Sequence, residues 1–252
     1  ALAMLKREPE PPPIAFAHVM CVSQATKDVL MEAGIPVQHA QVIYTGLDIS
    51  HYLQDQRGGE SENNRQGLKL LYAGRLSADK GVDTAVQAMA HLRREHSVTN
   101  IHLGLAGAGE PEYEQHLRRL IVQEQLEDAV TLLGRVPPEA MADLYKQYDV
   151  LLVPSIWPEP FARVVLEGMA AGLVVVAAPT GGTAEIVREG ANGLLFAPGN
   201  AADLAGQIAR LVLDAPLRER LAQNGRKTVQ DNFTVTQMLA AIEAFLEQAA
   251  KK

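Results

Sequence analysis

The chain has 252 residues, 47% of them hydrophobic and 21% charged, a composition that fits one large globular domain or one and a half, at about 150 residues each. Its 23 Lys and Arg against 30 Asp and Glu leave a formal charge of −7, which argues against a basic face for nonspecific nucleic-acid binding. A single cysteine, Cys21, excludes an internal disulfide framework and a Cys-rich zinc site; no apolar run approaches the roughly 18 residues of a membrane span, and the first residues do not read as the basic start and apolar core of a signal peptide.

In chain order, Pro9, Pro11, Pro12 and Pro13 make an extended lead-in that cannot continue a helix. Residues 15–23 then predict a buried strand. Ser23 is a good N-cap for a helix running to about Ala33, where Gly34 stops it. A short strand is expected at 41–44. The stretch 50–67 is polar, carries glycines and lacks apolar periodicity, and it reads as a surface linker and a domain boundary. From Leu68 onward, apolar runs of strand length alternate with helical segments. The strands fall at 68–73, 101–106, 130–133, 150–153, 173–178 and 194–196, with helices at 82–94, 112–125, 138–147, 161–171 and 184–188 between them. Three helices close the chain, at 201–213, 216–231 and 235–250. The pattern predicts an α/β fold, a doubly wound Rossmann-like parallel sheet covered on both faces, preceded by a partial second unit.

In such sheets ligands bind beyond the carboxyl ends of the strands, and five loops there carry unusual residues. Ala73–Gly81 places Arg75 and Lys80 on a strand-to-helix turn; they suit a diphosphate, or are solvated loop charges between two turn glycines. Gly107-Ala108-Gly109 is half of a dinucleotide fingerprint, read as a tight turn first and a backbone approach to a ligand second. Gly134, with Arg135 and Val136, lets the backbone approach a flat base, or is an ordinary turn before Pro138. In Pro154–Gly168, Pro160 is expected to open a helix whose free amides, near Phe161, Ala162 and Arg163, form an anion site. Glu159 just before it has the plain reading of complementing the helix dipole, whereas Glu167 sits among apolar residues and needs a partner or a cleft. Gly181 and Gly182 leave backbone donors open, while Thr183 and Glu185 read as a cap and a first-turn acid. There is no Asp-x-Asp pair, no His pairing of zinc-site type, no P-loop and no nucleophile elbow.

These loops in this order resemble the C-terminal half of the retaining group 1 glycosyltransferases of GT-B fold, over roughly 68–233. The motifs are A-G-R-L-x-x-x-K-G, G-x-G, L-G-x-V, P-S-x-x-x-E-P-F with an E-x7-E pair, and G-G-x-x-E-I-V. Residues 19–48 are similar to the end of that family's N-terminal domain and its crossover. The resemblance implies an N-terminal remnant at 1–62, a donor-binding domain at 63–232 and a C-terminal helix at 233–252. It implies transfer of a sugar from a nucleoside-diphosphate sugar to an acceptor hydroxyl, by a metal-independent retaining reaction with no cofactor. Arg75 and Lys80 would hold the diphosphate, and Glu159 the transferred sugar, these three being the catalytic set. Glu167 would hold the ribose, backbone at Gly134–Val136 the base, and amides at Pro160–Arg163 and Gly182 the phosphate and sugar. The partners implied are the donor, an acceptor of unread identity and the missing N-terminal domain, in the cytoplasm or at the inner membrane face. A nucleotide-sugar-binding module without transferase activity is the alternative. Two departures stand out: Ala162 and Gly168 occupy positions where the family usually has Gly and Ala.

Overall fold

The computed structural model describes residues 18–53 and 67–250. The proline-rich lead-in, the first residues of the strand expected at 15–23 and most of the polar stretch 50–67 lie outside the described residues. Eleven elements alternate after that stretch: β3 (Leu68–Ala73), α3 (Val82–Glu95), β4 (Ile101–Ala106), α4 (Pro111–Gln123), β5 (Val130–Gly134), α5 (Pro138–Tyr145), β6 (Val150–Val153), α6 (Arg163–Ala170), β7 (Val174–Ala177), α7 (Thr183–Ile186) and β8 (Leu194–Leu195). The helices α8 (Ala201–Leu213), α9 (Ala215–Asn232) and α10 (Val235–Ala250) follow.

The six strands form one parallel sheet in the order β5-β4-β3-β6-β7-β8. Alternate residues of each strand enter opposite layers, as the two-residue pleat requires. Leu70, Tyr72, Leu152 and Val176 join the core beneath α3, α4 and α8, while Leu71, Leu151, Val153 and Val175 join the one beneath α5 and α6. Both faces are therefore dry, which is why the strands read as unbroken apolar runs. α3 contributes eight buried residues, Leu92 and Val86 among them. α9 bridges the layers, with Leu217 and Leu221 in the first and Val229 in the second.

The N-terminal piece is smaller. β1 (Met20–Cys21) and β2 (Gln41–Val42) make a two-stranded parallel pair flanking α1 (Gln24–Glu32). Among the described residues both strands are shorter than expected, because a parallel pair with no further neighbour there has few ladder bonds to make. The Ser23 side chain does cap α1, accepting from the Thr26 amide at 3.0 Å, and Gly34 follows it at φ +77°. No residue of α1 or α10 is buried. The chain crosses between the two units twice, side by side: the Leu47 amide donates to the Phe233 carbonyl (2.8 Å) and the Val235 amide to Leu47 (3.1 Å). Part of the expected linker is a helical turn, α2 (Ser50–Leu53), whose Tyr52 packs against the second core layer. No helix among the described residues is long and apolar enough to cross a membrane.

Candidate functional site

The sheet order reverses between β3 and β6, so their loops splay apart and leave a crevice at the carboxyl ends of the strands. Two cavities of about 440 and 270 Å³ open there. They share Ala73, Gly74, Arg75 and Val164, and so form one trough with Arg75 at its middle. Glu167 lies in the larger cavity, Glu159 and Lys80 in the smaller.

The floor is backbone. Gly74 and Gly107 are held at φ +158° and +150°, and a Cβ on Gly107 would overlap the Gly74 carbonyl oxygen. A Cβ on Gly109 would likewise overlap the Leu76 carbonyl. The G-x-G glycines therefore make room for the neighbouring loop rather than for a ligand; the Leu76 amide bonds to Ala108 at 3.0 Å, carrying the β3–β4 pairing past the strand ends. Tyr72 fixes the same loop by donating its hydroxyl to the Arg75 carbonyl at 2.5 Å. Burial raises the Tyr72 pKa, so the hydroxyl stays a donor. The Arg75 side chain itself is 65% exposed and pairs loosely with Asp79 at 2.9 Å.

At one end stands Glu159. Its Oε1 accepts from Lys80 Nζ at 2.5 Å and from the Ser155 hydroxyl at 2.9 Å. Lys80 comes from the turn after β3 and Glu159 from the loop after β6, so this pair bridges the switch point. At the other end Glu167, on α6, accepts from Arg163 Nε at 3.1 Å and the Tyr145 hydroxyl at 2.9 Å. This is the partner that a carboxylate in an apolar helix needs. Burial is the first cause, and the Glu167 charge the second, that raises the Tyr145 pKa. Tyr52 faces the same carboxylate, and burial followed by Glu167 pushes its hydroxyl up to about 12. Tyr52 belongs to a further cavity of about 790 Å³ that shares Val136, Met141 and Glu167 with the trough.

The structure brings Arg75, Lys80, Glu159, Phe161, Ala162, Arg163, Glu167, Arg135 and Val136 to the trough wall. It does not bring all of the expected residues there. Gly134 and Pro160 are exposed beside it, Gly134 in the left-handed region at φ +72°. Pro160 does not open the helix: α6 starts at Arg163 with Ala162 as its N-cap. The reason is that the preceding backbone has other partners, the Glu159 carbonyl accepting from Gly182 and the Phe161 carbonyl from Arg163. The same bond corrects the reading of Gly182, whose amide is committed to Glu159 at 2.8 Å rather than left open. Ala162 has an ordinary φ of −83° and needs no glycine. Gly168 is explained by packing, since a Cβ there would come within 2.5 Å of Leu151 Cδ2 on β6.

Glu185 lies in the first turn of α7, as expected, and its carboxylate also reaches out to the Gln24 and Ala25 amides at the start of α1, which the sequence did not suggest. Three residues at the site escaped the sequence reading, Tyr72, Tyr145 and Tyr52, and Ser155 entered it only as the serine of the P-S-x-x-x-E-P-F motif, without a role. Tyr145 carried a readable signal, since it follows Met141 by four residues on the face of α5 turned to the Val136 loop. Among the described residues no group of three or more His, Cys, Asp or Glu could hold a metal ion.

A model of the family described as glycosyl transferases group 1 matches residues 55–228. An uncharacterized glycosyltransferase of Methanocaldococcus jannaschii is 30% identical over 225 residues, covering 86% of this chain and 56% of the relative. The crystal structure of Anabaena HepE in complex with UDP-glucose superposes with a TM-score of 0.81 at 29% identity, over 94% of this chain and 65% of that one. Sucrose-phosphate synthase from Thermosynechococcus elongatus gives 0.81 at 27% identity, over 93% and 59%. The chain spans about half the length of the curated relatives it matches.

Proposed function

Because this chain belongs to the group 1 glycosyl transferases, we propose that its trough binds a nucleoside-diphosphate sugar and that the protein transfers the sugar to an acceptor hydroxyl. One observation carries the reading: a cation stands at the middle of a single trough with a partnered carboxylate at each end. That order matches the donor, which is sugar, diphosphate, ribose and base in line. Arg75 and Lys80 meet the diphosphate, Glu159 the sugar hydroxyls and Glu167 the ribose hydroxyls, which can donate to a carboxylate. The main chain of Arg135–Val136 and the Met141 side chain border the base.

In the reaction we propose, the bond from the anomeric carbon to the phosphate oxygen breaks, and a bond to the acceptor oxygen forms on the same face. The acceptor's proton passes to the departing phosphate oxygen. Arg75 and Lys80 stabilise the charge that develops there, a task that elsewhere falls to a divalent ion, and Lys80 exchanges its Glu159 contact for phosphate. Configuration is retained, the chemistry is metal-independent, and the setting is cytoplasmic or at the inner membrane face. Complexes of Anabaena HepE with UDP and with UDP-glucose support uridine nucleotides as first probes.

The test is a thermal-shift panel of UDP, GDP, ADP and their glucose conjugates, with and without EDTA. A ligand at a hundredfold excess over its dissociation constant stabilises by about 2.7 kcal/mol. One base family should raise the melting temperature, equally in EDTA; a flat panel overturns the donor reading. Incubating the stabilising sugar nucleotide with candidate acceptors then separates a transferase from a module that only binds.

A further inference from the structure

The loop that carries Glu159, Pro160 and Phe161 is held from outside the six-stranded unit. Glu185 accepts from the Gln24 amide at 2.9 Å, the Ala25 amide at 2.8 Å and the Tyr44 hydroxyl at 2.9 Å. The two amides belong to the first turn of α1, whose donors have no partner within the helix and whose dipole favours an anion. Tyr44, in turn, packs its ring against Phe161 with centroids 5.7 Å apart, and Phe233 closes the cluster at 5.5 and 6.0 Å. Three residues before Glu185, the Gly182 amide donates to the Glu159 carbonyl at 2.8 Å. Glu185 thus ties together α1, Tyr44 and the segment that supports the Glu159 backbone. Among the described residues the Glu167 carboxylate bonds to Tyr145 on α5 and Arg163 on α6, neither of them on α1 or beside Tyr44.

We propose that Glu185 is a positioning residue for Glu159: by clamping α1 and Tyr44 onto α7 it fixes the 159–161 loop, so that the sugar's seat, and not the nucleotide's, depends on α1 and Tyr44. The inference rests on the donor reading above. It assigns the two ends of the trough different owners. At the nucleotide end the Glu167 carboxylate takes its hydrogen bonds from the sheet unit's own helices, with Tyr52 of the crossover facing it, whereas the sugar end is held by a joint with α1 and Tyr44. A carboxylate serving only as structural glue would affect overall stability and leave the balance between the two ends untouched.

Calorimetric titration of the 252-residue chain with UDP and with UDP-glucose reads that balance directly. Glu185→Ala is expected to weaken UDP-glucose about tenfold, the equivalent of losing a charge-assisted contact, and UDP less than twofold. Tyr44→Phe keeps the ring cluster and drops one of the three bonds, so it should weaken UDP-glucose by about two- to threefold, with UDP unchanged. It is nearly isosteric and decides the matter if Glu185→Ala does not fold. Amide hydrogen exchange should accelerate at 24–25 and 159–163 in Glu185→Ala, while β4 holds its protection. Equal losses for both ligands, or none, in variants of a parent that binds both would overturn the inference and leave the donor reading standing. A parent that binds neither would overturn the two together.

Discussion

Glu159 and Glu167 are alike in their immediate company and different in how it is supplied. Each carboxylate is about one-fifth exposed, 18% and 20%, and each has one cation and one hydroxyl. For Glu167 the cation is four residues away on the same helix, so local geometry alone brings it there. For Glu159 it arrives from 79 residues away, across the switch point of the sheet. The first contact exists wherever α6 is a helix. The second exists only when the loops after β3 and β6 are both in place, which makes it a report on the assembled trough.

Lys80→Ala attacks the long-range contact and should have the largest effect. It strips a mostly buried carboxylate of its counter-charge and leaves Ser155 as its remaining hydrogen-bond partner here, which is expected to lower unfolding free energy by about 1.5–3 kcal/mol. Diphosphate affinity should fall by one to two decades for a similar loss. Arg75→Ala sharpens the contrast: a comparable fall in affinity with a stability change of only about 0–1 kcal/mol, because its ion pair is exposed. Calorimetric titration with a chemical-denaturation curve separates the two effects.

Glu167→Ala breaks the local end. The Tyr145 hydroxyl, on a fully buried side chain, would lose its acceptor, at a cost of about 1–3 kcal/mol, and UDP and UDP-glucose should weaken in parallel because both carry the ribose. Glu167→Gln, which keeps an acceptor for Tyr145, should recover most of the stability and less of the binding.

Alkaline titration probes the same end more gently. The Tyr52 hydroxyl holds its proton to about pH 12 when folded, against about 10 in an unfolded chain. The unfolded state therefore releases that proton first, and stability present below pH 10 is lost as pH rises toward 12. Tyr52→Phe should show a shallower decline over that window in denaturant midpoints. The smallest effect belongs to Arg163→Ala. Its guanidinium is 65% exposed, so the expected cost is about 0.3–0.5 kcal/mol, seen as a slight shift in the melting curve.

The same local-against-distant division sets what the sequence could disclose. The strands of the sheet unit were legible because burial on both faces writes itself as apolar runs, and Ser23 and Gly34 mark both ends of α1 within a single turn. The positions of Arg75, Glu159 and Glu167 could be read from their loops. The distant partners could not: Lys80 reads with Arg75 as a diphosphate cation and nothing ties it to Glu159, 79 residues on, and nothing near Glu185 in the chain announces Gln24, Ala25 or Tyr44, which lie about 140–160 residues away. Pro160 misled for the same reason, since a proline's preference for the first helical position was overridden by carbonyls already committed to Gly182 and Arg163.

The close passage of Gly107 and Gly109 under the β3 loop governs how this surface can vary. At both positions the space for a side chain is taken by a carbonyl oxygen of the loop after β3, and that loop is held in place by its own Gly74 and Leu76 amides, which donate to the Ala106 and Ala108 carbonyls, so it cannot move aside without giving up that pairing. A saturation library over residues 105–110, sorted only for folded protein and never exposed to a nucleotide, should return glycine at 107 and 109 and tolerate change at Ala108. Variation of the trough must therefore leave the floor alone and work through the walls, at residues such as Met141 and Ala162.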